Sequence, residues 1–322
     1  TREPIVINDA FHDEMANREL VERYNIRSML IVPLVVRENA IGTLAFHYHS
    51  AQIPFTEAQV DFATKLGTIV SLTLENARLY EAKRSIADEL QEAILTVPQR
   101  IEGIDFGHLY RSATETARVG ADFYDLFELG SGRIGIMIGD VSIKGLEAAA
   151  LTSLVKSTIR AYAYEDIPVA SVMDKTNEAI GKMPPPTVLI TAFFGILDTK
   201  TGELTYCSAG HPPGILKRKT SETSFLITSS PIIGMLPGLN YIGDETLLEG
   251  GDVLILYTNG VTQAKCDGGF FGDEKLVELI KSSGLTPVKE VPQAIFNNVM
   301  ECTSGKLLDD IAILAISLES MR

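Results

Sequence analysis

The stretch RIGIMIGDVSIKGLEAAALTSLVKSTIRAY, residues 133–162, decides the fold. Residues 133–141 are apolar or glycine apart from Arg133 and Asp140, the texture of a buried strand, whereas the residues after Gly145 are rich in Ala and Leu with helical spacing. A strand therefore runs through GDVSIKG straight into a helix, with a carboxylate at the junction. Such a group is costly to desolvate without a positive partner, and no Lys or Arg is adjacent to Asp140 in sequence.

Asp140 is not alone. Asp122 in VGADFYD and the pair Asp309 and Asp310 in LLDDIAILAI stand at the same kind of junction, and Asn259 in LILYTNG takes a fourth. Taken singly, an Asp at a strand end is a turn or cap residue, and Asp140 would cap the helix that starts near Gly145. Taken together, converging carboxylates repel one another, and a divalent cation supplies the counter-charge. Oxygen-only donors select Mg²⁺ or Mn²⁺ over zinc.

Around this core the chain divides in three. Up to about residue 55 it reads as a short amphipathic helix in DEMANRELVERY, then two apolar strands, SMLIVPLVV and AIGTLAFHYH, joined by the turn RENA. From Phe55 to about Leu95 it reads as one helix, opened by Thr56 with Gln59 at the capping-box position and roughly 60 Å long. Its heptad-spaced positions, Leu66, Ile69, Thr73, Asn76, Tyr80, Lys83, Ala87, Leu90 and Ile94, are apolar at both ends and polar in the middle. That pattern suits either a dimer coiled coil or a solvated connector. Beyond Pro98 short β-rich runs alternate with two groups of helices, which predicts antiparallel sheets with helices stacked outside, an α+β layered domain.

Bulk properties narrow the function. The formal charge is −14, with 28 Lys+Arg against 42 Asp+Glu and no basic stripe, so nucleic acid is excluded as a partner. The longest apolar run, MLIVPLVV, is too short to span a bilayer, and the chain is expected to be soluble and cytoplasmic. Cys207, Cys266 and Cys302 have no CxxC spacing and are expected to be buried and reduced. The first residues carry neither an initiator Met nor a signal peptide, so the expectation is a chain that begins inside a longer protein. Cys-x5-Arg, GxSxG and Walker A motifs are all missing, which argues against a covalent intermediate or a nucleotide loop.

The ordered series LQEAILTVPQRIEGIDFGHLYRSATETARVGADFYD, GDVSIKGLEAAALTS, LTYCSAGHPPGIL, GDVLILYTNGVTQAK, FG and DDIAILAI resembles the bacterial metal-dependent serine phosphatases of the RsbU and SpoIIE type, within the wider PPM family. The segment NIRSMLIVPLVVRENAIGTLAFHY, with the helix after it, resembles the C-terminal half of a GAF sensor domain. These resemblances imply residues 1–76 as the partial GAF-like domain, 77–97 as a linker helix and possible dimer coiled coil, and 98–322 as an αββα four-layer sandwich with two cations at one end. By motif position they place Asp122, Asp140, the Val141 carbonyl and Asp309 as metal ligands, with Asp310, Lys144 and His211 as neighbours or substrate contacts.

The implied reaction is hydrolysis of phosphoserine on a STAS-type anti-sigma-factor antagonist in partner switching, under the control of an upstream sensor whose ligand is unknown. Two Mn²⁺ or Mg²⁺ ions would activate water, so no protein nucleophile is required. The chain departs from the family at Asn259, where Asp is usual in YTDG; an amide is neutral and presents one oxygen. The alternative implied by that residue is a weakened or inactive phosphatase fold that binds and regulates. Ala121 and Ile143 are softer departures that remove no ligand.

Overall fold

A computed structural model describes the chain except Thr1, Thr96, residues 114–119, Lys144, residues 183–187, 283–286 and 320–322, and the side chains of residues 87, 88, 90–94 and 146. It forms two compact units, Thr1–Ser85 and Ile86–Arg322.

In the first unit, β1 (Ile5–Ile7) leads to α1 (Arg18–Tyr24), β2 (Ser28–Val36), β3 (Asn39–Tyr48) and the start of α2 (Glu57–Leu95). The three strands form an antiparallel sheet in the order β1-β2-β3. The hairpin turn is tighter than the four residues read from sequence: Arg37 and Glu38 alone make it, both at positive φ (46° and 84°), as a two-residue primed turn requires. The capping box is present, with the Thr56 N–H donating to Gln59 Oε1 at 2.9 Å and the Gln59 N–H to Thr56 Oγ1 at 3.3 Å.

The face of α2 that the sheet takes differs from the expected seam. Ala63, Gly67 and Ser71 are buried and Leu66 and Val70 half-buried, because Gly67 lets the helix approach Val32 closely. Ile69, Thr73, Asn76, Tyr80 and Lys83 of the expected seam are exposed, and the large apolar side chains on the outside are Phe62, Ile69, Leu72, Leu79 and Ile86, each more than half exposed. Leu90 and Ile94 of the expected seam lie outside the described side chains.

The second unit runs through β4 (Ile104–Arg111), β5 (Phe123–Gly130), β6 (Arg133–Val141), α3 (Leu146–Ala163), α4 (Val169–Gly181), β7 (Ile190–Asp198), β8 (Glu203–Ala209), β9 (Gly214–Lys217), β10 (Thr223–Leu226), β11 (Asp244–Leu247), β12 (Val253–Tyr257), α5 (Asn259–Thr262), β13 (Lys265–Cys266), β14 (Gly269–Phe270), α6 (Gly272–Ser282), α7 (Val291–Cys302) and β15 (Ile311–Leu318). Two five-stranded antiparallel sheets result, β11-β8-β7-β6-β5 and β10-β9-β12-β15-β4.

Period-two alternation builds four layers from these strands. Ile134, Ile136 and Ile138 of β6 point between the sheets to meet Leu254, Leu256, Leu314 and Ile316, while Met137 points out to Val155, Ile159, Val172 and Met173 of α3 and α4. On the far side Ile255, Ile313 and Ala315 point out to Leu276 of α6 and Ile295 and Val299 of α7. Helices on both outer faces of two packed sheets make the αββα sandwich.

One expectation fails here. Cys266 and Cys302 form a disulfide, with Cα atoms 5.1 Å apart, and only Cys207 is free and buried. The pair is 36 residues apart in sequence, and only the packing of β13 against the C-terminal end of α7 brings it together, so spacing carries no sign of it.

Candidate metal centre

Four strand ends meet at one end of the sandwich. In the first sheet Phe123 pairs with Gly139, which sets Asp122, just before β5, beside Asp140 near the end of β6. In the second sheet Tyr257 pairs with Ile313, which sets Thr258 and Asn259 beside the segment that carries Asp309 and Asp310. Thr258 joins the sheets: its Oγ1 donates to Asp122 Oδ2 at 2.6 Å and accepts from the Ala312 N–H at 2.9 Å.

The carboxylates crowd one another. Asp122 is 3% exposed, and burial first, then the charges of Asp140, Asp310 and Asp309, hold its carboxyl well above the usual range, against the pull of the Thr258 bond. Asp140 is half-buried and pushed up to about 6, first by burial; a hydrogen bond with Asp122 lowers it, and the charges of Asp309 and Asp310 raise it. Asp140 does not cap α3, whose N-cap, Gly145, makes no side-chain cap bond.

The consecutive acids divide their roles. The buried Asp310, whose charge also acts on Asp122 and Asp140, accepts from Ser112 Oγ at 3.0 Å and the Ala113 N–H at 2.9 Å on one oxygen, and from the Ala121 N–H at 3.1 Å on the other. Asp309 is half-buried, and its charge acts on both Asp122 and Asp140. Two glycines make the approach possible. A Cβ on Gly120 would lie 1.7 Å from Tyr110 Oη and 2.2 Å from Asp310 Oδ2, and one on Gly260 would lie 1.8 Å from the Asp310 carbonyl oxygen.

Asn259, the first residue of α5, buries its Oδ1 with no hydrogen-bond partner among the described residues. Val141 is buried beside Asp140 and donates its N–H to the Ala121 carbonyl at 3.3 Å. His211 is also buried, its Nδ1 3.0 Å from Oγ1 of Thr191, the residue paired with Asp140 in β7. Burial pushes its imidazole down to about 3, so it is neutral at physiological pH and no reservoir of protons there. Lys144 lies outside the described residues.

Sequence reasoning did not single out Thr258, Tyr110 or Thr191. Thr258 had a signal in its place beside Asn259, whereas Tyr110 and Thr191 are ordinary strand residues by sequence.

Among the described residues no three acidic, His or Cys side chains already surround a common metal position. The donors nevertheless fit a hard divalent cation: all are oxygens, two carboxyls are in contact and raised by burial and mutual repulsion, and the Asn259 carbonyl is buried without a donor.

Comparison with known proteins places this geometry in a family. The family model described as Stage II sporulation protein E (SpoIIE) matches residues 130–319, and a GAF domain model matches residues 1–74. Protein IcfG of Synechocystis sp. (strain ATCC 27184 / PCC 6803 / Kazusa) is 30% identical over 232 residues, covering 63% of this chain and 36% of that protein. The phosphoserine phosphatase RsbU of Bacillus subtilis (strain 168) is 26% identical over 234 residues, covering 72% of this chain and 68% of its own length. Among solved structures, the RsbU and RsbW domains of Rv1364c from Mycobacterium tuberculosis superpose with a TM-score of 0.62 at 23% identity, over 72% of this chain and 64% of that one. The chain thus spans about a third of the first of these relatives and about two thirds of the second. Since the SpoIIE model takes in more than half of its residues, the chain belongs to the SpoIIE family, with a GAF domain at its N-terminus.

Proposed function

We propose that the chain is a metal-dependent protein serine phosphatase acting on a phosphorylated STAS-type anti-sigma-factor antagonist in a partner-switching pathway. One observation carries the reading: the carboxyls of the buried Asp122 and the half-buried Asp140, in contact and both raised, with Asp309 and Asp310 acting on them from the other sheet. Asp122, Asp140, Asp309 and the Val141 carbonyl would hold two Mn²⁺ or Mg²⁺ ions, with Asn259 at the weak position. Bound there, the ions supply an activated water and charge neutralisation for a phosphoester. The protein's own part is to hold the carboxylates in place, through Thr258 for Asp122 and through the loop contacts of Asp310 for the wall beside it.

The proposed division of the chain is a GAF-like segment over 1–76, a linker over 77–97 and the phosphatase domain over 98–322, in a cytoplasmic homodimer paired through α2. The exposed stripe of Phe62, Ile69, Leu72, Leu79 and Ile86 supports the pairing, and an upstream sensor ligand or partner would act through it. No described helix is long and apolar enough to cross a membrane.

The test is phosphate release from a phosphorylated STAS protein across a Mn²⁺ titration, with N259D as the control. Release that stays at background in both proteins overturns the enzymatic reading. The buried, unpartnered Asn259 Oδ1 favours a second reading, a binding module that docks the antagonist without turnover. Antagonist binding by the wild type, with turnover only in N259D, selects it.

A further inference from the structure

The Thr258 hydroxyl occupies an unusual place in the proposed metal site. It is fully buried, just after β12 in an extended conformation (φ −87°, ψ 163°), and its proton and one of its lone pairs are engaged. Its proton goes to Asp122 Oδ2 at 2.6 Å, and its oxygen receives the Ala312 N–H at 2.9 Å. The backbone repeats the link, the Thr258 N–H donating to the Ala312 carbonyl at 3.0 Å.

A hydroxyl that already accepts from a fixed N–H has its proton aimed, so it holds a neighbouring carboxylate in one rotamer. Asp122 Oδ2 thereby accepts a hydrogen bond from a fixed direction, which sets the orientation in which the carboxylate faces Asp140 and a cation. The same residue precedes Asn259, so the bond that orients Asp122 also anchors the backbone from which residue 259 projects.

We propose that Thr258 is a positioning residue for cation binding: it orients the Asp122 carboxylate and ties it to the arm of the second sheet that carries Asn259. The inference rests on the metal-site reading above, and concerns a residue that is not itself a ligand.

Mn²⁺ affinity measured by calorimetry on the full chain tests it, with no assay of turnover. T258V keeps the shape and the β-branch and removes the hydroxyl; T258S keeps the hydroxyl. The expected result is a loss of about tenfold or more in Mn²⁺ affinity for T258V and rescue to within about threefold by T258S, the size of effect that residues behind metal ligands exert. T176V is the control for stability, because Thr176 is equally buried and donates at 2.8 Å to the Val172 carbonyl within α4. It is expected to lower the thermal midpoint and leave Mn²⁺ affinity within about threefold of wild type.

Should T258V fail to fold, T258A, whose smaller side chain removes the same hydroxyl without burying a second methyl against Asp122, takes its place. Wild-type affinity in the folded variant lacking the hydroxyl, or the same loss in T258S as in T258V, overturns the inference while leaving the metal site standing. Absence of Mn²⁺ binding in both the wild type and N259D overturns the site itself, and the inference with it.

Discussion

The Thr258 hydroxyl and the Asp122 carboxylate are 136 residues apart in the chain and meet at 2.6 Å across the gap between two sheets. The contact stands where β5 begins and β12 ends, so the acids of one sheet and the arms of the other are fixed relative to each other by a bond rather than by packing alone. Several measurable consequences depend on that arrangement.

Restoring a carboxylate at Asn259 is expected to strengthen Mn²⁺ binding. The amide oxygen is already buried and unpartnered, so N259D supplies a charged donor without a change in backbone. Calorimetry is expected to show at least about a tenfold gain in affinity, in line with the dependence of hard-cation sites on ligand charge. In the metal-free state the same substitution is expected to lower stability by adding a carboxylate to an already repulsive cluster.

Asp309 and Asp310 are expected to fail in different ways. D310A leaves Ser112 Oγ and the N–H groups of Ala113 and Ala121 without their acceptor, and is expected to cost about 2–5 kcal/mol in urea unfolding. D309A, which removes none of these three bonds, is expected to cost less and to lower Mn²⁺ affinity. Equal stability losses in the two variants would contradict the division of roles.

Stability of the metal-free protein is expected to fall as pH rises. The Asp140 carboxyl titrates at about 6 in the fold, against roughly 3.9 in an unfolded chain, so between those values the native state holds the proton more firmly. Deprotonation through that window therefore favours unfolding. Denaturation midpoints in a chelator from pH 4 to 7 are expected to decline, and D140N is expected to flatten the decline.

Reducing the disulfide is expected to destabilise the second unit. Cys266 and Cys302 close a loop of 36 residues, for which chain entropy gives about 3–4 kcal/mol. Guanidinium unfolding with and without a thiol reductant measures the difference, and C302S is expected to match the reduced protein.

Much of this was legible in the sequence because the cost of burying a charge is local. Asp122 and Asp140 stood out as carboxylates at the ends of apolar strands, and the unbroken apolar run of β6 was enough to predict a buried strand. What stayed hidden depended on contacts between distant segments. The Cys266–Cys302 bond and the Thr258–Asp122 bond each join residues that nothing in their own neighbourhood marks as partners. The face of α2 that the sheet takes was hidden for a related reason: heptad spacing gives a period, and the approach of Gly67 to Val32 fixes which face the sheet occupies. The resemblance set Asp310 apart from Asp309 as a neighbour, but its bonds to Ser112, Ala113 and Ala121 come from a distant loop and left no sign in the sequence.

Among the described residues the charges that act on Asp122 and Asp140 all come from other carboxylates. An anionic phosphoester approaching such a basin meets a repulsive field until positive ions have entered it. Occupancy would then be sequential, ion before ester, and ester binding would be steeply cooperative in ion concentration, so that the supply of divalent ions in the surroundings acts as a gate on substrate capture.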